Sequence, residues 1–318
     1  MAQKISIIIP TRNIDNLALE CIEKCRKLDY PDYEIIVVTD NADEIPGPDG
    51  GIRVIPVRDL PGVKKNRGVE HSRGNICAFV DSDAYPDARW LVNAVNFLQN
   101  EDIGAVGGPN LTPPGDSLRQ KLAGLTLSSN VALGKFSSRY KISRPHFPVE
   151  LPSCNLIVKK SVLAGTRSFA PDLLTAEDAD LSFKIQEMGK RIFYSPDVVV
   201  YHHRRPLFMP YCRQIFRYGL DKNLLLRRMS IYKRLKKFCY YTIPGAFAIA
   251  FAMFILSMFS SAVRNVFLIM AAAYFIILLV ESIRLSARYF PHIFLAIILT
   301  HFSYFAGFVY GHFKKNRS

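Results

Sequence analysis

Residues 241–263 contain no charged side chain, and no other feature of this 318-residue chain limits its fold as strongly. Two further uncharged stretches follow, 265–280 and 293–311, the last with His301 as its one ionisable interruption apart from tyrosines. A helix needs about 20 mostly apolar residues to cross a bilayer. Three such stretches so close together leave too little polar surface to cover them in water. The sequence therefore predicts a membrane domain over 239–318 with three transmembrane helices, at about 241–263, 265–280 and 293–311. Arg264 and Glu281 would sit at the interfaces of the second.

Charge divides the chain at the same place. The net charge is +14, yet residues 1–203 are close to neutral at net −1. Residues 204–237 carry net +10 with Asp221 as their one acid, and residues 238–318 carry net +5. Positive charge beside an apolar region points to anionic membrane lipids as a partner. A nucleic-acid binder would carry its basic face on the folded domain, so nucleic acid is not expected. Within 206–238, Phe208, Cys212, Ile215, Phe216 and Leu220 are interspersed with Arg and Lys. That pattern suits a basic amphipathic segment lying on the bilayer.

The basic stretch marks the cytoplasmic side, and Arg284 and Arg288 fit the same side. Three full spans would then leave the basic tail on the opposite side. Either the tail is an exception, or one stretch is re-entrant or interfacial. The start of the chain lacks the apolar region and cleavage site of a secretory signal. The expectation is a multi-pass protein of the cell membrane with residues 1–205 in the cytoplasm. The six cysteines show no CxxC or zinc-type spacing, which fits free thiols in a reducing compartment.

Residues 1–205 alternate strand-like and helix-like segments. Ile5–Ile9, Tyr33–Thr39, 51–56 and Ile76–Val80 read as strands. Residues 15–28 and 62–73 read as helices, and 40–51 as a turn-rich loop. Residues 154–160 and 191–200 read as further strands around a helix at 178–188. Residues 112–150, rich in Pro, Gly and Ser, read as a helix plus mobile loops over the site. The fold class is α/β, an open and mostly parallel sheet covered by helices, which binds ligands at the carboxyl ends of its strands.

One of those ends carries the strongest chemical signal. The strand Ile76–Val80 runs directly into Asp81-Ser82-Asp83. Two carboxylates two residues apart above a sheet can hold Mg²⁺ or Mn²⁺ together with a diphosphate. A second acidic group, Glu177-Asp178-Ala179-Asp180, opens the predicted helix at 178–188. Consecutive helical residues face different ways, so only one of Glu177 and Asp178 can point at a given ligand.

Five segments in this order, ISIIIPTRN, EIIVVTD, GVKKNRGVEHSRGNICAFVDSDAYP, LPSCNLIVKK and TAEDADLSFKIQEMGKRIFYSPDVVVYHHRR, resemble the family 2 glycosyltransferases. The resemblance covers roughly residues 4–220 and implies a Rossmann-like GT-A fold. It implies that Pro10 and Thr11 begin the nucleotide site, that Asp40 contacts the nucleobase, and that Arg67 helps hold the nucleotide. Asp81 would contact the nucleoside and Asp83 the metal, Mg²⁺ or Mn²⁺. Asn155 would line the donor-sugar and acceptor site, and Asp178 would be the general base for an acceptor hydroxyl. His202 would be a metal ligand, although strand alternation alone does not separate it from His203. Gln214-Ile215-Phe216-Arg217-Tyr218 resembles the QxxRW motif of processive synthases, with Gln214 and Arg217 near the diphosphate.

The implied activity is membrane-anchored, inverting transfer of a sugar from a nucleotide-sugar donor to a lipid-linked, polyprenyl-type saccharide. A polyprenyl-phosphate glycosyltransferase is a close variant. Processive synthesis fits less well, because Tyr218 stands where that motif has Trp. A non-catalytic membrane scaffold or nucleotide-sugar sensor would lack one of Asp83 and Asp178, and both are present. A transporter would draw its pathway groups from Glu281 and His301 alone.

Overall fold

The computed structural model describes residues 3–41 and 52–314. The loop expected at 40–51 therefore lies, beyond Asn41, outside the described residues. In chain order the elements are β1 (Ile5–Pro10), α1 (Asn16–Cys25), β2 (Tyr33–Thr39), β3 (Ile52–Pro56), α2 (Pro61–His71), β4 (Ile76–Phe79), β5 (Ala84–Pro86) and α3 (Trp90–Leu98). Next come β6 (Ile103–Gly107), β7 (Asn110–Leu111), α4 (Leu118–Leu127), α5 (Asn130–Leu133), β8 (Leu156–Lys159), α6 (Lys160–Thr166), α7 (Glu177–Glu187), β9 (Arg191–Tyr194) and β10 (Val200–His202). The chain ends in helices α8 (Met209–Arg227), α9 (Ile231–Lys236), α10 (Thr242–Ser257), α11 (Ser261–Leu285) and α12 (Phe290–Phe313).

These elements form two compact units, Met1–Pro114 with Ser138–His203, and Gly115–Ser137 with Arg204–Ser318. The second unit is not continuous in sequence. Residues 115–137, read from sequence as part of a loop region over the site, group with the C-terminal helices instead.

The first unit is built on a seven-stranded sheet in the order β3-β2-β1-β4-β8-β6-β9. All pairings are parallel except those of β8, which runs antiparallel to both β4 and β6. The interior strand β1, between β2 and β4, is buried on both faces, which is why it reads as a nearly unbroken apolar run. Ile5, Ile7 and Ile9 join Cys21 and Cys25 of α1 and Trp90 and Leu91 of α3 on one side. Ile8 joins Val162 and Leu163 of α6 and Leu181 and Ile185 of α7 on the other.

The strand expected over 191–200 is two strands. Pro196 offers no backbone N–H to a ladder, and a turn from Ser195 to Val198 separates β9 from β10. After that turn, β10 leaves the main sheet. It pairs antiparallel with β5 and parallel with β7 in a small second sheet.

In the second unit α8 and α12 pack backbone to backbone. A Cβ built on Gly219 would stand 2.2 Å from Tyr304 O, and one on Gly307 1.9 Å from Phe216 O. Only glycine permits that approach. Arg227 of α8 donates to the terminal carbonyls Gly311 O, His312 O and Lys314 O, closing the C-terminal end of α12.

The apolar region divides differently from the expectation. α11 and α12 are each long and apolar enough to cross a membrane, whereas α10 has only 16 residues. At 1.5 Å per residue α10 is about 24 Å long, short of a hydrocarbon core of about 30 Å. The stretch 241–263 breaks after Ser257, and the Ser260 side chain accepts from Val263 N to start α11.

Candidate active site

β4 delivers its acidic turn at the carboxyl end of the main sheet. Asp81 O accepts from Ala84 N at 3.0 Å, which turns the chain tightly and leads it into β5. In the small sheet His202 is registered opposite Ala84. That pairing brings a residue from late in the chain beside the turn, with His202 Nε2 3.1 Å from Asp83 Oδ1. Ligand atoms of Asp81, Asp83 and His202 all lie within 4.8 Å of one another. His203 points elsewhere, to Glu20 Oε2 at 3.1 Å. The choice that strand alternation leaves open thus falls on His202 as the neighbour of Asp83.

The electrostatics follow from crowding. Burial raises the Asp81 carboxyl above its usual range, the Asp83 charge adds to that, and Lys65 and His202 pull against it. Burial alone would lower His202, but the Asp83 carboxylate and the Cys154 thiol overcome it and push the imidazole up to about 10. Two carboxylates and an imidazole, half-buried and converging, form a donor set that fits a divalent cation of the Mn²⁺ or Mg²⁺ kind. Asp81, expected on the nucleoside, is part of this cluster.

The ends of β1 and β2 build a second edge. Thr11 N donates to Val38 O at 2.9 Å and Asp40 N to Arg12 O at 3.1 Å, so Pro10, Thr11 and Asp40 lie together. Lys64 is buried there, with its ammonium on Thr11 O and on Asp40 Oδ1. Arg67, the residue expected at this place, is exposed and paired with Glu70 at 2.7 Å. The reason is helical phase. Pro61, Lys64, Lys65 and Gly68 follow i, i+3, i+4, i+7 spacing and share the inward face of α2, while Arg67 lies off it. That spacing was the signal for Lys64 and Lys65.

Lys65 donates to Ser153 Oγ at 2.5 Å and pairs with Glu177 Oε1 at 2.7 Å. Burial pulls its pKa down, but Glu177 and then Asp81 outweigh it and raise the ammonium above its usual value. Glu177 opens α7 and is buried, whereas Asp178 beside it is half-buried and accepts from Ala179 N at 2.7 Å.

Asn155 is wholly buried. It donates to Pro109 O and Val198 O and accepts from Trp90 Nε1 at 2.8 Å. The structure places it as a clamp between the two sheets. Gln214 and Arg217 lie on α8 in the second unit, Gln214 half-buried and Arg217 exposed.

Comparison with known proteins agrees with this architecture. Residues 6–163 match the profile of the family described as glycosyl transferase family 2. The chain is 22% identical, over 98% of its length and 96% of the relative's, to a dolichyl N-acetyl-alpha-D-glucosaminyl phosphate 3-beta-D-2,3-diacetamido-2,3-dideoxy-beta-D-glucuronosyltransferase of Methanococcus voltae. It is 24% identical to the glycosyltransferase AglE of Haloferax volcanii, over 68% of this chain and 71% of that one. Among solved structures it resembles the mannosyltransferase PcManGT of Pyrobaculum calidifontis, determined with GDP-Man and Mn²⁺. The TM-score is 0.68 at 20% identity, covering 99% of this chain and 88% of that one. The chain carries a glycosyl transferase family 2 domain and has the GT-A fold.

Proposed function

We propose that the chain transfers a sugar from a nucleotide-sugar donor to a lipid-linked, polyprenyl-type saccharide at a membrane surface. The observation that carries this reading is the convergence of Asp81, Asp83 and His202 at the carboxyl end of β4. The Methanococcus voltae relative, whose name specifies a dolichyl-linked sugar acceptor, supports the acceptor class. The PcManGT complex supports a nucleotide-sugar donor and a divalent cation.

Asp81, Asp83 and His202 would hold Mn²⁺ or Mg²⁺, which supplies positive charge for the leaving nucleoside diphosphate. Pro10, Thr11 and Asp40 form the nucleotide edge, with Lys64 holding Asp40 in place. The acceptor hydroxyl oxygen bonds to the anomeric carbon from the face opposite the diphosphate, which inverts that carbon. The bond from the anomeric carbon to the diphosphate breaks, and its electron pair leaves with the diphosphate. The acceptor proton passes to the Asp178 carboxylate. The apolar helices α11 and α12 anchor the chain, and the basic segment 204–237 meets anionic headgroups on the cytoplasmic side.

The test is label transfer by the full chain in nanodiscs, with membrane lipid extract as acceptor and a panel of labelled nucleotide sugars. Cation-dependent label in the lipid fraction, lost in both Asp83→Ala and Asp178→Asn, is the expected result. Label that survives Asp178→Asn but not Asp83→Ala would identify an acceptor already ionised, a polyprenyl phosphate. Absence of transfer from every donor would sink the reading.

A further inference from the structure

Lys65 is buried beside the candidate site yet belongs neither to the cation cluster nor to the nucleotide edge. Its ammonium joins two separate pieces of chain. Ser153 stands just before β8, and Glu177 is the first residue of α7. Both Asp81 and Asp178 act electrostatically on the same ammonium.

The helix that carries Lys65 also grips the connection leading into α7. Asn66 donates to Phe169 O at 2.9 Å and accepts from Phe169 N at 3.0 Å, which fixes both polar groups of that backbone residue. A Cβ on Gly62 would stand 2.5 Å from Ala170 O. Just upstream, Arg167 and Ser168 have φ of 58° and 60°, left-handed conformations in two successive non-glycine residues. Such backbone persists where the surroundings hold it. Glu177 Oε2 is buried and has no hydrogen-bond partner among the described residues. A buried ion pair with an unmet oxygen is a weak source of stability. What it does provide is location.

We propose that Lys65 is a positioning residue. Through Glu177 and Ser153 it fixes the first turn of α7, and with it Asp178, relative to Asp81 and Asp83. The assignment rests on the roles given above to Asp178 and to the cation cluster. It departs from the usual expectation for a basic residue of α2, which is contact with the nucleotide.

The test uses the full chain in nanodiscs. Lys65→Met alone strands a buried carboxylate, so the informative variant combines Lys65→Met with Glu177→Leu and removes both charges. Expected are a melting temperature close to that of the wild type and a kcat lower by on the order of 10²-fold. The donor KM should stay within about threefold of wild type. A double variant that keeps wild-type kcat overturns the proposal. So does a donor KM that rises as far as kcat falls, because Lys65 would then be a donor-binding group. A double variant with no melting transition assigns the pair to stability and overturns it too. A wild type that transfers no sugar fails the functional reading instead, and the assignment falls with it.

Discussion

A carboxylate and an imidazole 119 residues apart in sequence stand 3.1 Å apart in the fold. Asp83 was legible because an apolar strand runs straight into it, and acids at strand ends are where this fold class binds cations. His202 was not separable from His203, because a three-residue strand shows too little alternation to assign faces. Only the register of His202 opposite Ala84 decides it. Arg67 and Lys64 show the same limit on a helix. A longer arginine is the natural guess for a phosphate or ribose partner, yet phase turns Arg67 outward and Lys64 inward. Lys64→Ala should therefore raise the donor KM by about tenfold, a loss typical of one charge-assisted contact. Arg67→Ala should stay within about twofold, as expected for an exposed ion pair. Steady-state kinetics over donor concentration compares them, and equal effects would contradict the assignment.

Elements were readable where apolar periodicity was long and unreadable where it was short. β1, β2 and β4 each follow a continuous apolar run. The small sheet of β5, β10 and β7 rests on strands of two or three residues, below what a pattern can reveal. The break between α10 and α11 hides in Met258–Ser260, a stretch with neither charge nor proline. Helix α2 sits close to β1, because a Cβ on Gly68 would stand 2.4 Å from Ile8 Cγ2. Gly68→Val should cost about 1–3 kcal/mol by overpacking. Gly115→Ala, with nothing within 4 Å, should leave stability unchanged. Thermal melts of the two variants decide, and a stable Gly68→Val would mean that α2 can shift. Asn155→Ala should act in the same way. It would take from Trp90 Nε1 and Val198 O the partner that each has in the core, at about 1–3 kcal/mol for each buried orphan, while Pro109 O keeps its bond from Val200 N. The expected signature is loss of folded protein, not a raised donor KM.

The whole chain partitions by contact rather than by sequence order. Residues 115–137 belong with the apolar helices because polar groups of those helices hold them. Ser129 donates to Glu281 Oε1 at 2.6 Å, and Glu281 also pairs with Arg284. His301 bonds Tyr274 through one ring nitrogen and Val131 O through the other. The sequence places His301 within an apolar stretch and Glu281 at the edge of one, but nothing local says which distant segment they hold. Glu281→Leu should therefore speed amide exchange across 115–137 by about tenfold or more, while β1 and β4 keep their protection. Unchanged exchange in 115–137 would show that apolar packing alone holds the segment.

The central claim is that Asp81, Asp83 and His202 form one cation and diphosphate site. Calorimetric titration of the full chain in nanodiscs with nucleoside diphosphates, with and without Mn²⁺, tests it most directly. Mn²⁺-dependent binding in the wild type and in His203→Ala, abolished in Asp83→Ala and in His202→Ala, is the predicted result. Binding that ignores Mn²⁺, or that survives His202→Ala intact, would contradict it.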